Sequence, residues 1–190
     1  MTVLKLHTMK KLTGLLILKL IIVSFSVLAD SASDFEQGWM QLKKKGSDKC
    51  LDVHAPAQWS NGARVQIWEC NGQLQQQWKF SEGSIVTRAG KCLDVHAPDQ
   101  LKNGARIQVW DCNGSMQQRW HMRGNEGDPK LPFKIISGAG KCLTVKGKEA
   151  YPHYRNGDLV TVWDCNDLTK RDEQKWRVLP RLIFEHERQE

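Results

Sequence analysis

Between Arg64 and Trp68 polar and apolar residues alternate one by one, the period of a strand with one face in a core and one in solvent. Shorter runs of β character flank it: Trp39 to Leu42, Cys50 to Val53 and Gln76 to Phe80. Asn61-Gly62 marks a tight turn just ahead of the alternating strand. No long stretch after residue 30 has helical periodicity, and Gly, Asn and Pro recur too often for one. The pattern predicts an all-β chain of short strands.

That pattern then repeats. Residues 49–78 and 91–120 align without a gap at an offset of 42, with 21 of 30 positions identical. Val65/Ile107, Ile67/Val109 and Glu69/Asp111 differ only by swaps that keep shape or charge. A third copy starts at Lys141 and keeps a cysteine pair, Asn156-Gly157, Trp163-Asp164-Cys165 and Gln174-Lys175-Trp176. It carries three extra residues before Asn156 and three more after Cys165, and the preceding segment, Met122 to Pro132, reads as a long surface loop. Three copies of one four-strand unit are expected, over about 37–80, 81–122 and 131–179.

The start of the chain has a different pattern. Lys10 and Lys11 precede an apolar stretch ending Val27-Leu28-Ala29, which reads as an export signal over 1–29 cleaved before Asp30. Lys19 interrupts the run, leaving little length for a spanning helix. A buried N-terminal helix and an uncleaved anchor are the competing readings, and Met9 is an alternative start. Removing residues 1–29 takes away Lys5, Lys10, Lys11 and Lys19 and no acid, so a net charge of +7 becomes +3. With no Lys/Arg stripe among the aromatics, that balance gives nucleic-acid binding little support.

Export changes how the cysteines are read. Cys50, Cys70, Cys92, Cys112, Cys142 and Cys165 all follow the signal, an even set of the kind that forms disulfides outside the cytosol. Their separations of 20, 20 and 23 residues favour one local bridge per copy among the formal pairings. Each such loop closure contributes roughly 3 kcal/mol in the chain-entropy model. Zinc is the rival reading, but no close cysteine pair of the C-x2-4-C kind is present, so no metal and no cofactor is expected.

Gln76-x-Trp78, Gln118-x-Trp120 and Gln174-x-Trp176, with Cys-Leu-Asp-Val and Asn-Gly-x-x-Val/Ile-Gln-x-Trp-x-Cys ahead of the first two, resemble the signature of ricin B-type β-trefoil lectins. The resemblance covers residues 37 to about 179. It implies an all-β trefoil of twelve strands, six forming a barrel and three hairpins capping it, over 30–180, with 181–190 a charged tail.

The resemblance also implies a carbohydrate site in each intact copy. Asp52 and Asp94 would accept sugar hydroxyls through charge-assisted bonds. Trp68 and Trp110 would stack on the sugar ring, and Gln66 and Gln108 would support the Asp. Gln75 and Gln117 stand where the family has Asn, and His54 and His96 are candidates to line the pockets. Trp59, with Leu101 as counterpart, would make the two sites differ in apolar contact.

Each role has a plainer alternative. Trp68 and Trp110 can be packing residues, and Asp52 and Asp94 can cap turns. Trp78, Trp120 and Trp176 read as core, because they survive in every copy. In the third copy Asp becomes Thr144, Gln becomes Thr161 and the position before Q-x-W becomes Glu173. Loss of Asp and Gln together, with the scaffold kept, favours a binding role for both.

No nucleophile with a partnered base stands out, and His54 and His96 belong to copies a third of a turn apart, so catalysis is not expected. The expected function is that of a secreted lectin, extracellular or periplasmic, binding galactose-type or related glycans or polysaccharide through copies one and two. The rival is the cell-binding subunit of a secreted toxin, with the tail Arg181–Glu190 as a docking segment for a separate toxin or enzyme subunit. A trefoil protease inhibitor fits less well, since it would not need the Q-x-W repeats.

Overall fold

The computed structural model describes residues 38–55, 57, 59–124, 131–146, 153–165 and 172–180. The expected signal over 1–29 and the tail over 181–190 lie outside them. Unit one consists of β1 (Met40–Lys44), β2 (Lys49–Val53), β3 (Ala63–Glu69) and β4 (Trp78–Ser81). Unit two holds β5 (Ser84–Thr87), β6 (Lys91–Val95), β7 (Ala105–Asp111) and β8 (Trp120–Gly124). Unit three holds β9 (Phe133–Ser137), β10 (Lys141–Lys146), β11 (Leu159–Asp164) and β12 (Trp176–Pro180).

Strands one and four of each unit close a barrel. β1 pairs with β12 and β4, β4 with β5, and β9 with β8 and β12. The remaining junction is made by the Trp120 amide, which donates to the Gly83 carbonyl at 2.7 Å. The hairpins β2–β3, β6–β7 and β10–β11 meet through β3–β7, β7–β11 and β11–β3 contacts, which close a cap around the pseudo-threefold axis. Pairing of this kind uses up the edges that would otherwise template association. The chain is a β-trefoil.

The core is built in matched triplets. Leu42, Ile85 and Ile135 come from the barrel strands, and Leu51, Leu93 and Leu143 from the hairpins; all are fully buried. Trp78, Trp120 and Trp176 fill the space between barrel and cap, as their persistence in every copy predicts. Each indole N–H donates to a hairpin carbonyl: Trp78 to Leu51 at 2.9 Å, Trp120 to Leu93 at 2.8 Å and Trp176 to Leu143 at 3.1 Å. A buried indole thus keeps its one donor satisfied while fixing hairpin to barrel. The bridges Cys50–Cys70, Cys92–Cys112 and Cys142–Cys165 each tie the first strand of a hairpin to the segment after its second.

Two local features depart from the sequence reading. The fourth strand starts at Trp78 and not Gln76: Leu74–Gln76, Met116–Gln118 and Asp172–Gln174 form single 3-10 turns. The reason lies in the glutamines Gln76, Gln118 and Gln174, which turn inward and bond to backbone and side-chain groups of the hairpin. The second feature is the Asn-Gly turn, which does more than reverse the chain. Asn61 Oδ1 accepts from the Asp111 amide at 3.0 Å, Asn103 from Asp164 at 2.9 Å and Asn156 from Glu69 at 2.8 Å. Each turn therefore clasps the next unit, and the last clasps the first. Gly62 and Gly104, at φ +84° and +83°, lie where an added Cβ would touch the Trp110 and Trp163 rings.

One buried residue has no counterpart in the other units. Lys44 occupies the position of Thr87 and Ser137, and its ammonium donates to the carbonyls of Asp172 and Lys175 beneath the third unit's turn. It also lies 5.1 Å from the Tyr154 ring. Burial brings its pKa down to about 7, against the opposing pull of Asp172 and Glu173.

Candidate functional site

Antiparallel pairing sets the geometry of each site. On the β2–β3 hairpin Asp52 lies directly across from Gln66, and on β6–β7 Asp94 lies across from Gln108. The period-two alternation puts Val65 and Ile67 in the core, so Arg64, Gln66 and Trp68 share the opposite face.

The polar groups on that face form one chain. Gln66 Nε2 donates to Asp52 Oδ1 at 2.9 Å, and Gln76 Nε2 donates to Asp52 Oδ2 at 3.2 Å. Gln76 is itself fixed, since it also donates to the Glu69 carbonyl and accepts from the Asn71 amide and from Gln41. Unit two repeats this, with Gln108 at 2.9 Å and Gln118 at 3.1 Å from the two oxygens of Asp94. Both carboxylates are nearly enclosed, and each oxygen has an amide donor. Burial pushes Asp52 above the ordinary aspartate range, opposed by the bonds from Gln66 and Gln76 and by the charge of His54.

The aromatic residues stand differently. Trp68, Trp110 and Trp163 are 40%, 40% and 38% exposed, unlike the buried Q-x-W tryptophans. These are not core residues. His54 and His96 are half-buried at the ends of β2 and β6, where their amides donate to the carbonyls of Arg64 and Arg106. Gln75 and Gln117 are half-buried on the 3-10 turns, beside the glutamines that do reach the carboxylates. Trp59 and Leu101 are both exposed.

Sequence reasoning missed two members of the group. Gln76 and Gln118 read as part of the structural signature because the third copy keeps them, yet each is a partner of the Asp. Arg64 and Arg106 were overlooked: their Nη2 groups donate to Gln66 Oε1 at 3.4 Å and to Gln108 Oε1 at 3.0 Å. The signal was available, because Arg64 is two residues before Gln66 on the same face and its third-unit counterpart is Leu159.

In unit three the chain is dismantled. Thr144 and Thr161 face each other where Asp and Gln stand elsewhere. Thr144 Oγ1 turns back to the Cys142 carbonyl at 2.8 Å and receives Gln174 Nε2 at 3.3 Å. Thr161 Oγ1 is buried with no hydrogen-bond partner among the described residues. No grouping of three His, Cys, Asp or Glu suited to a metal ion occurs among the described residues.

The sequence profile of the ricin-type beta-trefoil lectin domain matches residues 38–150 and, overlapping them, 83–187. A search of curated protein sequences finds no match. Among solved structures, the designed threefold-symmetric protein ThreeFoil is 28% identical with a TM-score of 0.62, over 75% of this chain and 98% of that one. The hemolytic lectin CEL-III is 25% identical with a TM-score of 0.58, over 74% of this chain and 29% of that one. An exo-beta-1,3-galactanase from Clostridium thermocellum is 27% identical with a TM-score of 0.61, over 75% of this chain and 30% of that one. The chain thus spans less than a third of those two larger proteins. It belongs to the ricin-type β-trefoil lectin family, and its domain is a carbohydrate-binding, non-catalytic module.

Proposed function

We propose that the chain is an exported lectin that binds galactose-type or related glycans through units one and two, while unit three is structural. The observation that carries this reading is the Gln–Asp–Gln chain, present around Asp52 and Asp94 and taken apart around Thr144. A half-exposed indole beside a carboxylate locked by two amides offers a sugar what it needs: an apolar face for its C–H groups and oriented acceptors for its hydroxyls. Three disulfides and an N-terminal segment of signal-peptide pattern support export. The resemblance to a galactanase structure makes galactan a reasonable first matrix.

Shallow single sites bind with Kd on the order of millimolar. Two sites on one rigid body raise avidity on a polymer by about 10² to 10⁴. The test is retention on immobilised galactan of the double variant Asp52→Asn/Asp94→Asn, which fills the same space without the charge. Retention should fall to that of an uncoated matrix while the melting curve stays cooperative. Undiminished retention would remove these pockets from the account.

A toxin-subunit role is tested separately, by asking whether one stoichiometric partner co-purifies from the native secretome and is lost on truncation at Pro180.

A further inference from the structure

The most exposed charge of each intact site is not the aspartate. Asp52 and Asp94 are only 3% and 6% exposed, whereas Arg64 and Arg106 stand exposed on the same strand faces. Each guanidinium spends one N–H on the glutamine of its site, at 3.4 Å and 3.0 Å. That bond fixes the amide, with its oxygen toward the arginine and its nitrogen toward the aspartate. It also leaves most of the guanidinium's five N–H donors for another acceptor.

No such acceptor is supplied by the described residues. Neither arginine is in an ion pair among the described residues, where the carboxylates that do pair take lysines. Arg88, by contrast, is stacked 4.3 Å over the Trp39 ring and bonded to Gln77. The strand register adds a second point: Arg64 pairs with Gln108 across β3–β7, so it lies between the glutamine of its own site and that of the next. The corresponding position in the dismantled unit is Leu159, lost together with the Asp and the Gln.

We propose that units one and two select glycans bearing an oxyanion, either a uronate carboxylate or a sulfate ester, and that Arg64 and Arg106 are the specificity residues that receive it. This rests on the carbohydrate-binding reading of these sites and names the substrate class. A planar guanidinium fork fits two oxygens of such a group at once, which an ammonium cannot do.

The test uses the full chain at about 0.15 M salt, where long-range attraction between exposed charges is largely screened. Affinities are compared for polygalacturonate, a sulfated galactan and neutral arabinogalactan. At least one acidic polymer should bind about 10-fold or more tightly than the neutral one, a difference in the range of charged hydrogen bonds. Arg64→Gln/Arg106→Gln should reduce that ratio to about 2 or less, whatever happens to neutral affinity. Arg64→Lys/Arg106→Lys, which keeps the charge, should retain only part of it. The acidic polymer whose preference falls identifies the group as carboxylate or sulfate.

A control variant, Arg123→Gln/Arg177→Gln, removes two exposed arginines from barrel strands and should leave the ratio intact. Equal binding of acidic and neutral polymers by the unmodified chain would overturn the proposal and leave the lectin reading standing. So would an equal loss of the ratio in the control variant, which would mean general charge attraction. Binding of none of the three polymers would count against both.

Discussion

Units one and three share a scaffold and differ in what the scaffold presents. Their cysteine bridges, Asn-Gly turns, inward glutamines and buried tryptophans correspond one for one. Their outward faces do not: Arg64, Gln66 and Asp52 become Leu159, Thr161 and Thr144. The comparison separates two jobs that a single copy would leave confounded. Residues held in both units maintain the trefoil, and residues held only where the polar chain is complete are the ones the proposed binding role rests on. Gln76 does both, through its backbone bonds and its bond to Asp52.

The largest effect should come from the shared scaffold. Trp176→Ala and Trp78→Ala should each cost about 3–5 kcal/mol, measured by denaturant unfolding, because each empties a large buried site and frees a carbonyl. Near-equality of the two is the point. A much cheaper Trp176→Ala would mean that unit three has relaxed its scaffold as well as its site.

Gln76→Ala and Gln174→Ala should split where the tryptophans do not. The first leaves a buried carboxylate oxygen and the Asn71 amide short of partners, for a cost of about 2–3 kcal/mol. The second meets a threonine hydroxyl where Gln76 meets a buried carboxylate, so a cost about 1 kcal/mol smaller is expected. Equal costs from the same unfolding measurement would show that the carboxylate adds nothing to the role of this glutamine.

Much of this is legible in the sequence. Three copies of a cysteine pair and a Q-x-W unit, with a strand of strict alternation between, define the trefoil, and observed strand ends fall close to those expected. The error at Gln76 was physical in origin: its side chain binds the hairpin, so its backbone takes a 3-10 turn where apolar patterning suggested strand. Asp52 facing Gln66 follows from hairpin register, and the joint loss of the pair in the third copy pointed to it. Arg64 was not seen because an arginine on an exposed strand face reads as a solubilising residue unless its partner is known. The clasp from Asn61 to Asp111 was invisible for another reason: it crosses between units, and repeat alignment compares units without showing which surfaces meet.

A smaller effect concerns pH. In an Asp94→Asn variant only unit one carries an ionisable site carboxylate, and burial raises Asp52 above 3.8. Galactan affinity should therefore fall as pH drops, with its midpoint above the ordinary aspartate value. Stability should respond with the opposite sign. A folded-state pKa above the unfolded one favours the protonated form, so this group's contribution is full at low pH and lost as pH rises through its folded pKa. Loss of binding in step with unfolding would instead mean that acid acts on the fold.

The most direct test is to follow the indole N–H signals of Trp68, Trp110 and Trp163 by NMR, assigned through single Trp→Phe variants, during titration with lactose. Trp68 and Trp110 should shift along saturating curves while Trp163, equally exposed, stays in place. A saturating shift of Trp163, or stationary signals from Trp68 and Trp110 while another tryptophan moves, would contradict the assignment of binding to the first two units.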